Sequence, residues 1–289
     1  MKHFFNAVKQ RPLIVLMMAL ACLPLVIYEQ YSSVVQKVGS FSLLFGQNFM
    51  NTVSDIADGI KITASSPAIM VLSVIVAILV LLALSFILGV YFGGYNQTLY
   101  LAVNDIPKKR GDFKQAINRY YIKLTFYFLF LIISMFLMMG MLLFSTVPFF
   151  TLLNMFLAGD SAAIFMMLIV AVLTILFDYF ALIFYTMYMS YMLPALIAFK
   201  KGGVIVSFKM TNGYCWYLMP RTTFFLLLLL LDKIIMLQMG FGVAKGGHAL
   251  LCIVINWILT SAILIGYVYY VFNTFSIMKD DMFNTTDKE

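Results

Sequence analysis

The chain has 289 residues, 63% hydrophobic and 11% charged, whereas soluble domains are about a quarter charged, so a water-soluble fold is excluded. Its apolar runs are long and unbroken, which excludes a β-barrel and leaves membrane-spanning helices, the fold that pairs its own backbone in hydrocarbon. The net charge of +7 collects at helix ends, where membrane topology accounts for it without nucleic acid, and Cys22, Cys215 and Cys252 lack the spacing of a disulfide framework or zinc motif.

A hydrocarbon core of about 30 Å needs roughly 20 apolar residues per helix. Six runs meet that need, at about 12–28, 68–95, 122–150, 162–199, 217–239 and 249–272. The expectation is one polytopic all-α membrane domain over 1–289, ending in a polar cytoplasmic tail at 273–289. The first run has a rival reading as a signal peptide, because Ala19–Leu20–Ala21–Cys22 loosely matches a lipoprotein cleavage site. An alanine stands where that site has leucine, and the apolar run continues through Leu23, Leu25, Val26 and Ile27, so it is read as a span. The fourth run is too long for one perpendicular crossing and must tilt, bend or continue as an interfacial turn past Tyr185 and Tyr188.

Two stretches between the runs have helical periodicity. Val34, Val38, Phe41, Phe45, Phe49, Val53, Ile56 and Ile60 form one apolar face, broken by Gly39, Gly46 and Gly59. Its polar face is poor in Lys and Arg, so it reads as an extracytoplasmic amphipathic lid over the bundle. Before the third span, Asp112-Phe113-Lys114-Gln115 has the spacing of an N-cap with a back-reaching Gln. The helix that follows carries Phe113, Ile117, Tyr120 and Leu124 on one face and is expected to lie along the cytoplasmic interface.

Orientation follows from the basic residues. One set of loops holds Lys2, Lys9, Arg11, then Lys108, Lys109, Arg110, Lys114, Arg119 and Lys123, then Lys200, Lys201, Lys209 and Arg221. The opposite set holds Lys37, Lys61 and Lys245, with Glu29, Asp55, Asp58 and Asp160 beside them. Both termini are therefore expected in the cytoplasm. The segment Lys108, Lys109, Arg110, Lys114 and Arg119 is a candidate surface for anionic lipid or a cytoplasmic partner.

Phe4-Phe5-Asn6-Ala7, Phe113-Lys114-Gln115-Ala116 and Phe208-Lys209-Met210-Thr211 each open a short lead-in to an odd-numbered span. This faint repeat suggests three helical hairpins with interfacial entry helices, although any N-inside hairpin needs a basic, amphipathic entrance. Mitochondrial-type carriers are excluded, since Pro24-Leu25-Val26 does not continue into their Pro-x-acidic motif.

The end of the fourth span, Tyr191-Met192-Leu193-Pro194-Ala195-Leu196-Ile197-Ala198-Phe199, leads through Ser207-Phe208-Lys209-Met210-Thr211-Asn212-Gly213 to Tyr214-Cys215-Trp216. The second span ends Gly89-Val90-Tyr91-Phe92-Gly93-Gly94, and Gly111-Asp112-Phe113 follows. This layout resembles the six-helix membrane region of bacterial glycerophosphodiester phosphodiesterases and related stand-alone bacterial membrane proteins. The resemblance implies a helical fold in a bacterial plasma membrane. It implies no reaction, because the phosphodiesterase domain has no counterpart here.

Charges inside a span are costly and point to function or to an internal partner. Asp178 falls in the fourth span, and Asp232 with Lys233 in the fifth. One reading is a structural pair of Asp178 with Lys233; the sharper one is a proton or ion site with Asp232 as the titrating member. Asn256 and Gln238 are candidates for hydrogen bonds between helices. Gly89-x-x-x-Gly93 permits close helix approach. His248 reads as a loop residue, far in sequence from His3, and no metal or cofactor is expected. Walker, dinucleotide, HExxH and Gly-x-Ser-x-Gly patterns are missing from the sequence.

The expected function is a non-enzymatic multi-pass protein with a transport-like or membrane-accessory role, in contact with lipid and with another membrane protein as a candidate partner. Two rivals stand beside it. One is the permease subunit of an exporter driven by a cytosolic ATPase, with Asp105–Lys123 as the coupling element; the other is an intramembrane lipid-modifying enzyme.

Overall fold

A computed structural model describes residues 9, 11–31, 67–107, 109–159, 163–199, 201–240 and 246–284. Among them the regular structure is entirely α-helical: α1 (Leu13–Tyr31), α2 (Pro67–Val103), α3 (Asp112–Leu157), α4 (Ala163–Ala198), α5 (Gly203–Gly213), α6 (Cys215–Gln238) and α7 (Gly247–Asn284). Five of these, α1, α2, α3, α4 and α7, are long and apolar enough to cross a membrane. The fifth expected span, α6, is a helix of 24 residues but carries Arg221, Asp232 and Lys233 and is not among the five. The amphipathic stretch from Val34 to Ile60, the first lead-in at Phe4–Ala7, and Lys108 lie outside the described residues.

Several expectations change in detail. The interfacial helix and the third span are a single helix of 46 residues, because no glycine or proline occurs between Asp112 and Met139 to break it. Gly111, at φ +88°, makes the turn into it, and the Gln115 amide bonds back to the Gly111 carbonyl at 3.0 Å. Asp112 therefore lies inside the first turn rather than at the N-cap, and its carboxylate accepts the Lys109 amide at 2.8 Å. The long fourth run is one helix of 36 residues with Pro194 in its last turns. The third lead-in, around Phe208, forms the separate helix α5, entered through Gly202 at φ +73°. The expected polar tail is, as far as Asn284, a continuation of α7, with Phe275 and Met278 fully buried.

The chain divides into two compact units. The first comprises Met1–Ser32, Ser85–Phe128 and Ile183–Glu289. Its main core takes Ile183, Met187, Tyr191 and Ala195 from α4, a stripe at every fourth residue, and packs them with Met210, Leu218, Val271 and Phe275. A second cluster joins Val26 of α1, Met236 of α6 and Cys252 and Ile253 of α7. In this unit α2 meets α3 so closely that a Cβ on Gly89 would lie 2.7 Å from the Thr125 backbone nitrogen, which is why glycine stands there. The Ile197 carbonyl, in the last turn of α4 and so without a helical partner, accepts from Tyr120 of α3 at 3.2 Å, and Tyr127 of α3 donates to the Met189 carbonyl at 2.9 Å.

The second unit comprises Ser33–Leu84 and Leu129–Leu182. Among its described residues the buried apolar side chains are Ile132 and Ala163, while residues such as Leu137, Phe144 and Phe165 are wide open, Phe144 at 79%. Such a surface suits hydrocarbon and not water.

Candidate functional site

The first unit holds a polar node built from three helices. Glu29 stands in the last turn of α1, Asp232 and Lys233 are adjacent on α6, and Asn256 and Thr260 are one turn apart on α7. Glu29, Asp232, Lys233 and Asn256 are each one turn from the apolar cluster of Val26, Met236 and Cys252 on their own helix, and Thr260 is one turn further along α7. That cluster sets the register in which the polar groups meet.

Lys233 Nζ donates to Glu29 Oε2 at 2.7 Å and to Asn256 Oδ1 at 3.3 Å, and lies 3.8 Å from Asp232 Oδ2. Asn256 Nδ2 donates to Glu29 Oε2 at 3.2 Å. Thr260 Oγ1 is 2.9 Å from Asp232 Oδ2 and 3.0 Å from Asn256 Oδ1. Asp232 is 3% exposed and Asn256 is fully buried, and Asp232 Oδ1 has no hydrogen-bond partner. Two carboxylates thus face one ammonium. Fully ionised, the node holds one uncompensated negative charge among apolar helices, an unstable arrangement without a further cation.

Lys233 therefore has Glu29 as its close partner, whereas Asp178 accepts from Ser145 Oγ at 2.6 Å within the second unit. Of the two residues proposed for hydrogen bonds between helices, Asn256 belongs to the node, and Gln238 is exposed at the end of α6. Glu29 and Thr260 are the members that sequence reading missed. Glu29 directly follows the apolar run ending at Tyr28 and was grouped with outer-loop acids; the available signal was that a helix need continue only one more turn to carry it. His248 is not a loop residue but lies in the first turn of α7, with Nε2 2.9 Å from the Met239 carbonyl. Among the described residues no group of His, Cys, Asp and Glu could hold a metal ion.

The basic segment lies elsewhere in the first unit. Lys109 and Arg119 line a cleft of about 290 Å³ with Gln97, Asp112, Gln115 and Tyr120, while Arg110 and Lys114 are exposed. Behind the turn, the buried Arg11 donates to the Ile106 carbonyl at 2.7 Å. Burial pushes the Arg11 pKa down and the Asp112 carboxylate draws it back up.

No protein-family model, curated protein or solved structure matches this chain. Any functional reading therefore rests on the node and on the helices that carry it.

Proposed function

We propose that this chain is a non-enzymatic, six-span protein of a bacterial plasma membrane, with both termini cytoplasmic and a transport-like role coupled to a cation at the Glu29–Lys233–Asp232 node. One observation carries the reading: a single lysine serves two carboxylates, one of them 3% exposed with an unbonded oxygen. A site whose charge closes only when a cation arrives has the basic property of an ion-coupling site. As the fifth of six crossings, α6 has 24 residues, about 36 Å at the helical rise and enough for a bilayer core. Asp232 and Lys233 find partners on α1 and α7 instead of facing lipid. The basic residues around Lys109–Lys123 and Lys201–Arg221 support the orientation, and the resemblance of the sequence to phosphodiesterase membrane regions is the ground for the bacterial setting.

The test needs no known substrate. Proteoliposomes adsorbed on a solid-supported membrane are exposed to jumps in pH, Na+ or K+, and the displaced charge is recorded. Wild-type protein should give a transient current on one of these jumps, and Asp232→Asn should lose it while keeping its folded yield. Currents equal to those of empty liposomes on every jump would end the coupling reading. Purification from native membranes separates it from the exporter-subunit reading, which a stoichiometric ATPase would establish in its place.

A further inference from the structure

We propose that the cation of this node is a proton, carried on Asp232 Oδ2, and that Lys233 changes carboxylates when it leaves. The proposal rests on the ion-coupled reading and adds the identity of the ion and its seat.

The argument begins with the Asn256 amide. Its Oδ1 faces the Lys233 ammonium at 3.3 Å and its Nδ2 faces the Glu29 carboxylate at 3.2 Å. Turning the amide over would set NH2 against NH3+ and a carbonyl against a carboxylate, so its neighbours fix its direction. Oδ1 is an acceptor only, and it lies 3.0 Å from Thr260 Oγ1. Thr260 must donate there, and a hydroxyl has one proton. Toward Asp232 Oδ2, 2.9 Å away, Thr260 then offers only lone pairs. An ionised Asp232 would make that contact two acceptors in collision. A protonated Asp232 makes it a hydrogen bond, donated by Asp232 Oδ2 to Thr260 Oγ1.

Two further observations agree. The proton removes the surplus charge, leaving Glu29 and Lys233 as a balanced pair. The unbonded Asp232 Oδ1 becomes the carbonyl oxygen of a neutral acid, much less costly to leave bare than half of a buried carboxylate. The charged and titratable groups facing this site are Glu29 and Cys22 of α1 and Lys233 of α6; α7 contributes Asn256, Thr260 and Ser261, which do not titrate. Tyr91 and Tyr95 of α2 approach through Cys22.

Lys233 Nζ is 2.7 Å from Glu29 and 3.8 Å from Asp232, a difference of 1.1 Å. When the proton passes from Asp232 to water, a shift of about that size transfers the ammonium to the new carboxylate. Glu29 keeps the Asn256 amide. The node thus has two arrangements: proton on Asp232 with Lys233 at Glu29, or proton released with Lys233 at Asp232.

Infrared difference spectroscopy on the full-length protein in liposomes tests this, comparing H2O with D2O at neutral pH. Wild type should show an isotope-sensitive carboxylic-acid carbonyl band. Asp232→Asn should remove it, and Asp178→Asn should leave it. Glu29→Gln should also remove it, because Lys233 then turns to Asp232 and keeps it ionised. Thr260→Val should shift the band, since the acid loses its acceptor; this decides the matter if Asp232→Asn does not fold. A wild type without the band, a band that survives Asp232→Asn, or one indifferent to both Glu29→Gln and Thr260→Val would overturn the proposal. A band without ion-jump currents keeps the proton and removes the coupling; currents without a band do the reverse.

Discussion

The two units of this chain solve different problems. The first is knit together by side chains: a stripe of every fourth residue on α4, tyrosine hydroxyls on α4 carbonyls, a glycine pressed against the Thr125 backbone, and the Glu29–Lys233–Asn256 node. The second has Ile132 and Ala163 as its buried apolar residues among those described, and its side chains meet in the Ser145 to Asp178 hydrogen bond. The difference is physical. Lipid solvates leucine and phenylalanine as well as a protein interior does, so apolar burial by itself does little to join helices in hydrocarbon. Close packing and polar contacts must do it, and the first unit concentrates both.

If that contrast holds, substitutions should rank by unit. The largest effect is expected from Lys233→Leu, which leaves the Glu29 carboxylate without its 2.7 Å partner. Removing one member of a buried pair costs about 3–5 kcal/mol; with the Glu29 side chain 20% exposed, the lower end of that range, roughly 3 kcal/mol, applies. Thermal unfolding followed by size-exclusion in detergent measures it, and a loss smaller than that of Ser145→Ala would break the comparison. Gly89→Leu comes next, at about 1–3 kcal/mol for overpacking, because the added carbon meets the Thr125 backbone as well as its hydroxyl. Ser145→Ala in the second unit should cost only about 0.6 kcal/mol, the average for hydrogen bonds between membrane helices.

The smallest effect belongs to the edge of the first unit. Tyr214, between α5 and α6, donates to Asp281 Oδ2 at 2.7 Å, and that bond first, then burial, raises its pKa. A raised tyrosine contributes its stabilisation fully below its ordinary value of about 10 and loses it as pH climbs through the raised one. Wild type and Tyr214→Phe should therefore converge in melting temperature only above about pH 10. A difference that grows with pH would refute the bond's role.

Sequence legibility follows the same division. The apolar runs were readable because nothing else explains them, and Asp178, Asp232 and Lys233 stood out as charges inside such runs. Asn256 was readable as an amide in an apolar segment. Glu29 was not, because an acid just after Tyr28 looks the same at the end of a helix as in a loop. Thr260 and Ser261 were hidden for another reason: hydroxyl residues in spans commonly bond their own backbone, as Thr98 and Thr125 do here. The continuity of α3 was legible in the run from Asp112 to Met139 without glycine or proline. Positive-inside reasoning nonetheless favoured an interfacial break there.

The ion pair also has a history in time. Glu29 and Lys233 are 204 residues apart, which at a synthesis rate of about 5–20 residues per second separates their emergence by roughly 10–40 s. Throughout that interval α1 exists without the ammonium that will neutralise its carboxylate. Glu29 lies two residues from the end of its helix, where a charge costs less than at the centre of a span. Asp232 and Lys233 lie deeper in α6 but emerge side by side, so they enter together and find Glu29 already in position. Assembly of the nascent chain thus closes in the order in which its charges can be tolerated.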